Sequence, residues 1–190
     1  MRSFFKKVTS SVWGEELIPS IDRYTKTTRI VVGAILGSLA VIFQSAGIFT
    51  GIGYVLSMMS TGPLVLASLM SIRIGVMTYF VTIFLLALLQ PSELLVFIFT
   101  TGLLGLSLGI GLKYVKKSLF IILFAGLCLT LGISFLLYVV KFPILGPSVT
   151  SHFNSIVILG TFSFSLLYSW IWKKVSISAF KVLHAFFTRR

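Results

Sequence analysis

Acidic residues are scarce. Glu15, Glu16, Asp22 and Glu93 are the four in a chain of 190, and charged residues of both signs make up 11% of it. A soluble domain of this size carries about 25%, so an ordinary cytosolic enzyme is excluded. A chain that is 57% hydrophobic is not disordered either. The single cysteine, Cys128, has no partner for an internal disulfide, which excludes a secreted disulfide scaffold. Within the run Leu127-Cys128-Leu129-Thr130 it is read as a small packing residue. Two histidines and four scattered acids provide no ligand spacing such as HExxH or paired CxxC, so neither a metal nor a cofactor is expected. A glycine-rich phosphate loop with its lysine is also missing, so the chain does not hydrolyse nucleotide by itself.

What the sequence does hold is apolar residues in blocks. About 20 of them are needed to cross a hydrocarbon core about 30 Å thick, and six blocks qualify. They run from Ile30 to Phe49, Tyr54 to Ile72, Ile74 to Leu89, Leu94 to Leu112, Ser118 to Val140 and Asn154 to Trp172. The expected fold is an all-α integral membrane protein, a six-transmembrane-helix bundle with amphipathic N- and C-terminal segments. Residues 1–28 form a polar N-terminal segment in which Arg2, Lys6 and Lys7 alternate with Phe4, Phe5, Val12 and Trp13, as in a helix lying on a membrane surface. No cleavable signal peptide is visible, because no apolar stretch follows the basic start directly. Residues 29–172 form the membrane domain. In the basic tail, residues 173–190, Ala179, Phe180, Leu183, Phe186 and Phe187 recur at helical spacing, which predicts an interfacial amphipathic helix.

The net charge of +12 raises the question of nucleic acid, and the placement of the charge answers it. Fifteen of the sixteen basic residues fall before the first block, between the second and third, between the fourth and fifth, or after the sixth; only Lys141 falls elsewhere. That distribution puts both termini in the cytoplasm of a multi-pass cell-membrane protein, with anionic lipid rather than nucleic acid as the partner of the basic residues.

Small residues hold membrane helices together where little hydrophobic force acts between them. Gly33, Ala34, Gly37 and Ser38 form such a row in the first block, equally suited to internal packing or to a second protein. Gly102, Gly105 and Gly109 form another in the fourth, assigned to packing within the bundle. Gly62-Pro63 predicts a kink. Two catalytic patterns are set aside. Gly105-Leu106-Ser107-Leu108-Gly109 fits GxSxG and, with His152, resembles the layout of rhomboid proteases. On this topology, however, Ser107 lies within about 8 Å of the cytoplasmic end, and His152 lies in an external loop. Glu15-Glu16 resembles the glutamate pair of intramembrane prenyl-protein proteases, but Ser20 stands where those enzymes have arginine. No enzymatic activity is expected.

The remaining polar residues gather at the external ends of the blocks: Gln44, Tyr54, Gln90, Glu93, Lys141, His152 and Asn154. Polar groups in such a chain are costly and tend to line cavities. Pro91-Ser92-Glu93 also fits a helix start, with Ser92 as cap and Glu93 favoured by the helix dipole.

Six spans in about 190 residues, cytoplasmic ends and the small-residue row Gly33/Gly37 with Ala34/Ser38 resemble the substrate-binding S components of energy-coupling-factor transporters. The row here is led by glycine rather than alanine, and the loop between the first two spans is short. The resemblance implies a small, vitamin-like solute held near the outer face, by Gln44, Tyr54, Glu93, His152 and Asn154 in this sequence. It also implies docking of Gly33, Ala34, Gly37 and Ser38 onto a transmembrane coupling subunit served by partner ATPases. The alternative from the residues alone is a non-enzymatic membrane scaffold, packed through and without ligand.

Overall fold

The computed structural model describes residues 25–49, 52–142, 144 and 154–188, without the side chains of residues 52, 181 and 183–188. The described residues are helical, and six stretches are long and apolar enough to cross a membrane: Lys26–Ile48, Gly53–Met70, Ile72–Leu89, Pro91–Tyr114, Ser118–Val139 and Ser155–Phe180. The N-terminal segment 1–24 and residues 189–190 of the tail lie outside the described residues.

Helix α1, Lys26–Ser45, is capped by Thr25, whose hydroxyl accepts from the Thr28 amide, and it closes in a 3-10 turn over Ala46–Ile48. The second span is two helices, α2 (Ile52–Met59) and α3 (Thr61–Met70). The break falls at Ser60, and Pro63 sits in the first turn of α3, where its missing N–H leaves no bond unmade. Helix α4, Ile72–Leu89, follows after Ser71 alone, so Arg73 stands in its first turn rather than in a loop. The fourth span comprises α5 (Pro91–Val96), a π turn over Phe97–Thr101 and α6 (Gly102–Tyr114). The fifth has the same construction, α7 (Ser118–Ser134) with a π turn over Phe135–Val139. The two π turns lie side by side, with the rings of Phe99 and Phe135 stacked 4.8 Å apart.

Helix α8, Ser155–Thr188, is continuous over 34 residues. The boundary expected at 172/173 has no counterpart in the backbone, because no glycine or proline interrupts the run from Trp172 to Thr188. Beyond that point Ile177 and Phe180 are buried in the main core with Leu69, Leu104, Leu108 and Leu129. This part of the tail therefore packs as an extension of the sixth span.

Short connections turn the chain back on itself, giving the bundle two ends. Arg73, Lys113, Lys116 and Lys117 mark one, the basic end; Gln90 and Glu93 mark the other. The second, fourth, fifth and sixth spans enclose the core, with α7 and α8 in the broadest contact. The first and third pack against each other along one side. On α4 the exposed face carries Met77, Phe80, Val81, Phe84 and Leu88. Such a face costs about 25 cal/mol per Å² in water and suits lipid chains.

Candidate polar site at the Glu93 end

A buried glutamine is expensive unless its amide is satisfied, and Gln44, about five turns from the exposed start of α1, is fully buried. Its carboxamide offers two N–H donors and two acceptor positions on oxygen. All four are used. Nε2 donates to Ser57 Oγ at 2.8 Å and to Glu93 Oε2 at 2.9 Å. Oε1 accepts from Ser60 Oγ at 2.7 Å and from Thr101 Oγ1 at 2.8 Å. An ionised carboxylate only accepts, so Glu93 fixes which way the amide faces. One side chain thus ties the first span to both halves of the broken second span and to the fourth.

Local irregularities bring these partners together. Ser57 and Ser60 are three apart and flank the α2–α3 break, so both hydroxyls reach one amide. Glu93 and Thr101 are eight apart, which in a regular helix leaves them about 80° apart around the axis. The π turn between them takes up one extra residue and brings both onto the face that meets Gln44. Thr61 completes the contact, its hydroxyl donating to the Thr101 carbonyl at 3.2 Å. Opposite Glu93 stands Gly47 in the 3-10 turn; a Cβ there would lie 2.6 Å from the carboxyl carbon, so only glycine lets the carboxylate in. Glu93 itself is half-buried.

Two other expected site residues lie apart from this cluster. Tyr54 is exposed. Asn154 is exposed and accepts from the Ile156 amide at 2.9 Å, capping the start of α8. His152 lies outside the described residues. The expected cap at Ser92 is corrected: Gln90 occupies the cap position without a side-chain bond to the helix, Pro91 is the first helical residue, and Gln90 Nε2 donates to Ser92 Oγ at 2.7 Å.

The small-residue row of the first span is divided. Gly33 and Gly37 are buried against α4, where a Cβ on Gly33 would lie 2.5 Å from Ile74 Cγ2 and one on Gly37 3.3 Å from Thr78 Cγ2. Thr78 Oγ1 donates to the Gly33 carbonyl at 3.2 Å. Of the two roles their row allowed, these glycines thus make the internal helix contact. Ala34 and Ser38 are exposed, with the Ser38 hydroxyl returned to the Ala34 carbonyl. Gly105 and Gly109 admit Leu64 and Ser68 of α3, as internal packing requires. Ser107 is buried and donates to the Leu104 carbonyl at 3.0 Å.

Sequence reasoning missed Ser57, Ser60, Thr101 and Gly47, which look like ordinary small residues within apolar helices. It also placed Lys173 in a basic surface tail beyond the sixth span. Lys173 is fully buried, and its ammonium donates to Ser118 Oγ at the start of α7, while Lys174 stands 3.9 Å over the Trp170 ring. Serine at 165, 169 and 176 lies buried along the same helix. Among the described residues no three of His, Cys, Asp and Glu stand together. Comparison with protein-family models, curated proteins and solved structures finds no match to this chain.

Proposed function

We propose that the chain is a membrane-embedded subunit that captures a small solute at the Glu93 end of its bundle and passes it on with the help of partner ATPases. The observation carrying this reading is the Gln44 cluster. It joins a discontinuous helix, a π turn and the one acid among the described residues, and interrupted helices and π turns recur at transporter and functional sites. In this reading the bundle crosses the cell membrane. The basic end and both termini face the cytoplasm, as the distribution of lysine and arginine favours, and Glu93 faces outward. With Gly33 and Gly37 turned inward, a coupling subunit would meet the first span through Ala34 and Ser38. The S-component architecture is the nearest analogy, and it enters as analogy alone.

A second reading, a membrane scaffold without ligand, is favoured by a different observation. Every hydrogen-bonding position of Gln44 is satisfied within the chain, as in a packed structural node. Native mass spectrometry of the detergent-purified chain separates the two. The solute-binding reading expects a retained small molecule and co-purifying ATPases. An empty protein whose thermal stability ignores added vitamins would establish the scaffold.

A further inference from the structure

If the Glu93 end binds a solute, the chemistry of its groups narrows what that solute is. Gln44 is saturated by four partners and has nothing left to offer a ligand; it is a positioning residue. Glu93 differs. It is half-buried, its Oε2 takes the Gln44 amide, and among the described residues no lysine or arginine joins it in an ion pair. It is also the sole carboxylate among those residues. A partly desolvated carboxylate with one neutral donor is under-compensated, and a cation is the partner that compensates it. The carboxylate is held in place from both sides: the Gln44 amide grips one oxygen, and Gly47 leaves the space that any side chain would fill. Acids within membrane proteins are rare and pair with cations or line their paths.

We propose that the site selects solutes by positive charge, with Glu93 as the group that contacts a solute ammonium or an inorganic monovalent cation. This deepens the solute-binding reading and depends on it. The test uses the full chain in lipid nanodiscs in potassium phosphate buffer. Thermal stability is followed against choline, ethanolamine and putrescine, against an uncharged alcohol of each skeleton, and against sodium chloride. Co-purified molecules are identified by native mass spectrometry.

The expected result is stabilisation by at least one amine and not by its alcohol. Glu93→Gln keeps an oxygen for the Gln44 amide and so keeps the fold, but its apparent affinity should fall at least about ten-fold. Glu93→Asp, which retains the charge, should lose less. A response to sodium alone would identify an inorganic cation as the occupant. Stabilisation only by uncharged compounds, undiminished in Glu93→Gln, or a co-purified neutral or anionic molecule, would overturn the charge selectivity and leave solute binding standing. No response to any compound, together with an empty mass spectrum, would overturn both.

Discussion

Replacing Gln44 by leucine removes the acceptor of two hydroxyls and the only side-chain donor to Glu93 among the described residues. Hydrogen bonds between membrane helices are individually modest, but this change strands several buried groups at once. A loss of about 2–4 kcal/mol is expected in detergent unfolding. The same experiment distinguishes the two halves of the first-span row. Gly33→Leu collides with Ile74 and should lower stability by itself. Ala34→Leu and Ser38→Leu, on the exposed side, should leave the melting temperature within a degree or two and act only on recovery of a partner. If Gly33→Leu proved as stable as the wild type, the tight contact with α4 would be wrong.

At the scale of elements, irregular helix carries most of the specificity. Removing one residue from the Phe97–Thr101 turn, for instance Ile98, should restore regular helix and leave Glu93 and Thr101 seven residues apart, within about 20° of one another around the axis. Because both partners of Gln44 stay on one face, the deletion should cost less in detergent unfolding than Gln44→Leu does. A loss as large as that of Gln44→Leu would show that the turn serves another purpose. The end of α8 gives an independent check. Phe180→Ala should cost about 3 kcal/mol, as a buried aromatic does, whereas a detached surface helix would barely register the change. The π turns were not legible in the sequence, whereas the α2–α3 break at Ser60 falls beside the kink expected at Gly62-Pro63. Phe97–Thr101 is five apolar or weakly polar residues without glycine or proline, and nothing in its composition differs from regular helix.

For the whole molecule, the two-ended distribution of charge makes the simplest prediction. In a Cys128→Ser background, Lys141→Cys should react with a membrane-impermeant maleimide on intact cells, and Lys116→Cys should react only after lysis. The reverse pattern would invert the bundle and turn Glu93 toward the cytoplasm, removing the basis for capture from outside. Broad lipid-suited faces on α4 and α8 leave room for partners along the sides without disturbing the core.

The sequence by itself determined the helical class, the six stretches long and apolar enough to cross a membrane and the end at which the basic residues gather. Those follow from block length and charge position, which are properties of a linear chain. It also placed Gln44 and Glu93 at one end of the bundle, in the same group as Tyr54, Gln90, Lys141, His152 and Asn154. Only the tertiary structure decided that Gln44 and Glu93 touch, that Gly33 and Gly37 face inward, that Asn154 is a cap and that Lys173 is buried. Each of these depends on how a helix is rotated about its own axis. In a chain apolar on nearly every side, hydrophobic periodicity is too weak to fix that rotation, and contacts with neighbouring helices set it instead.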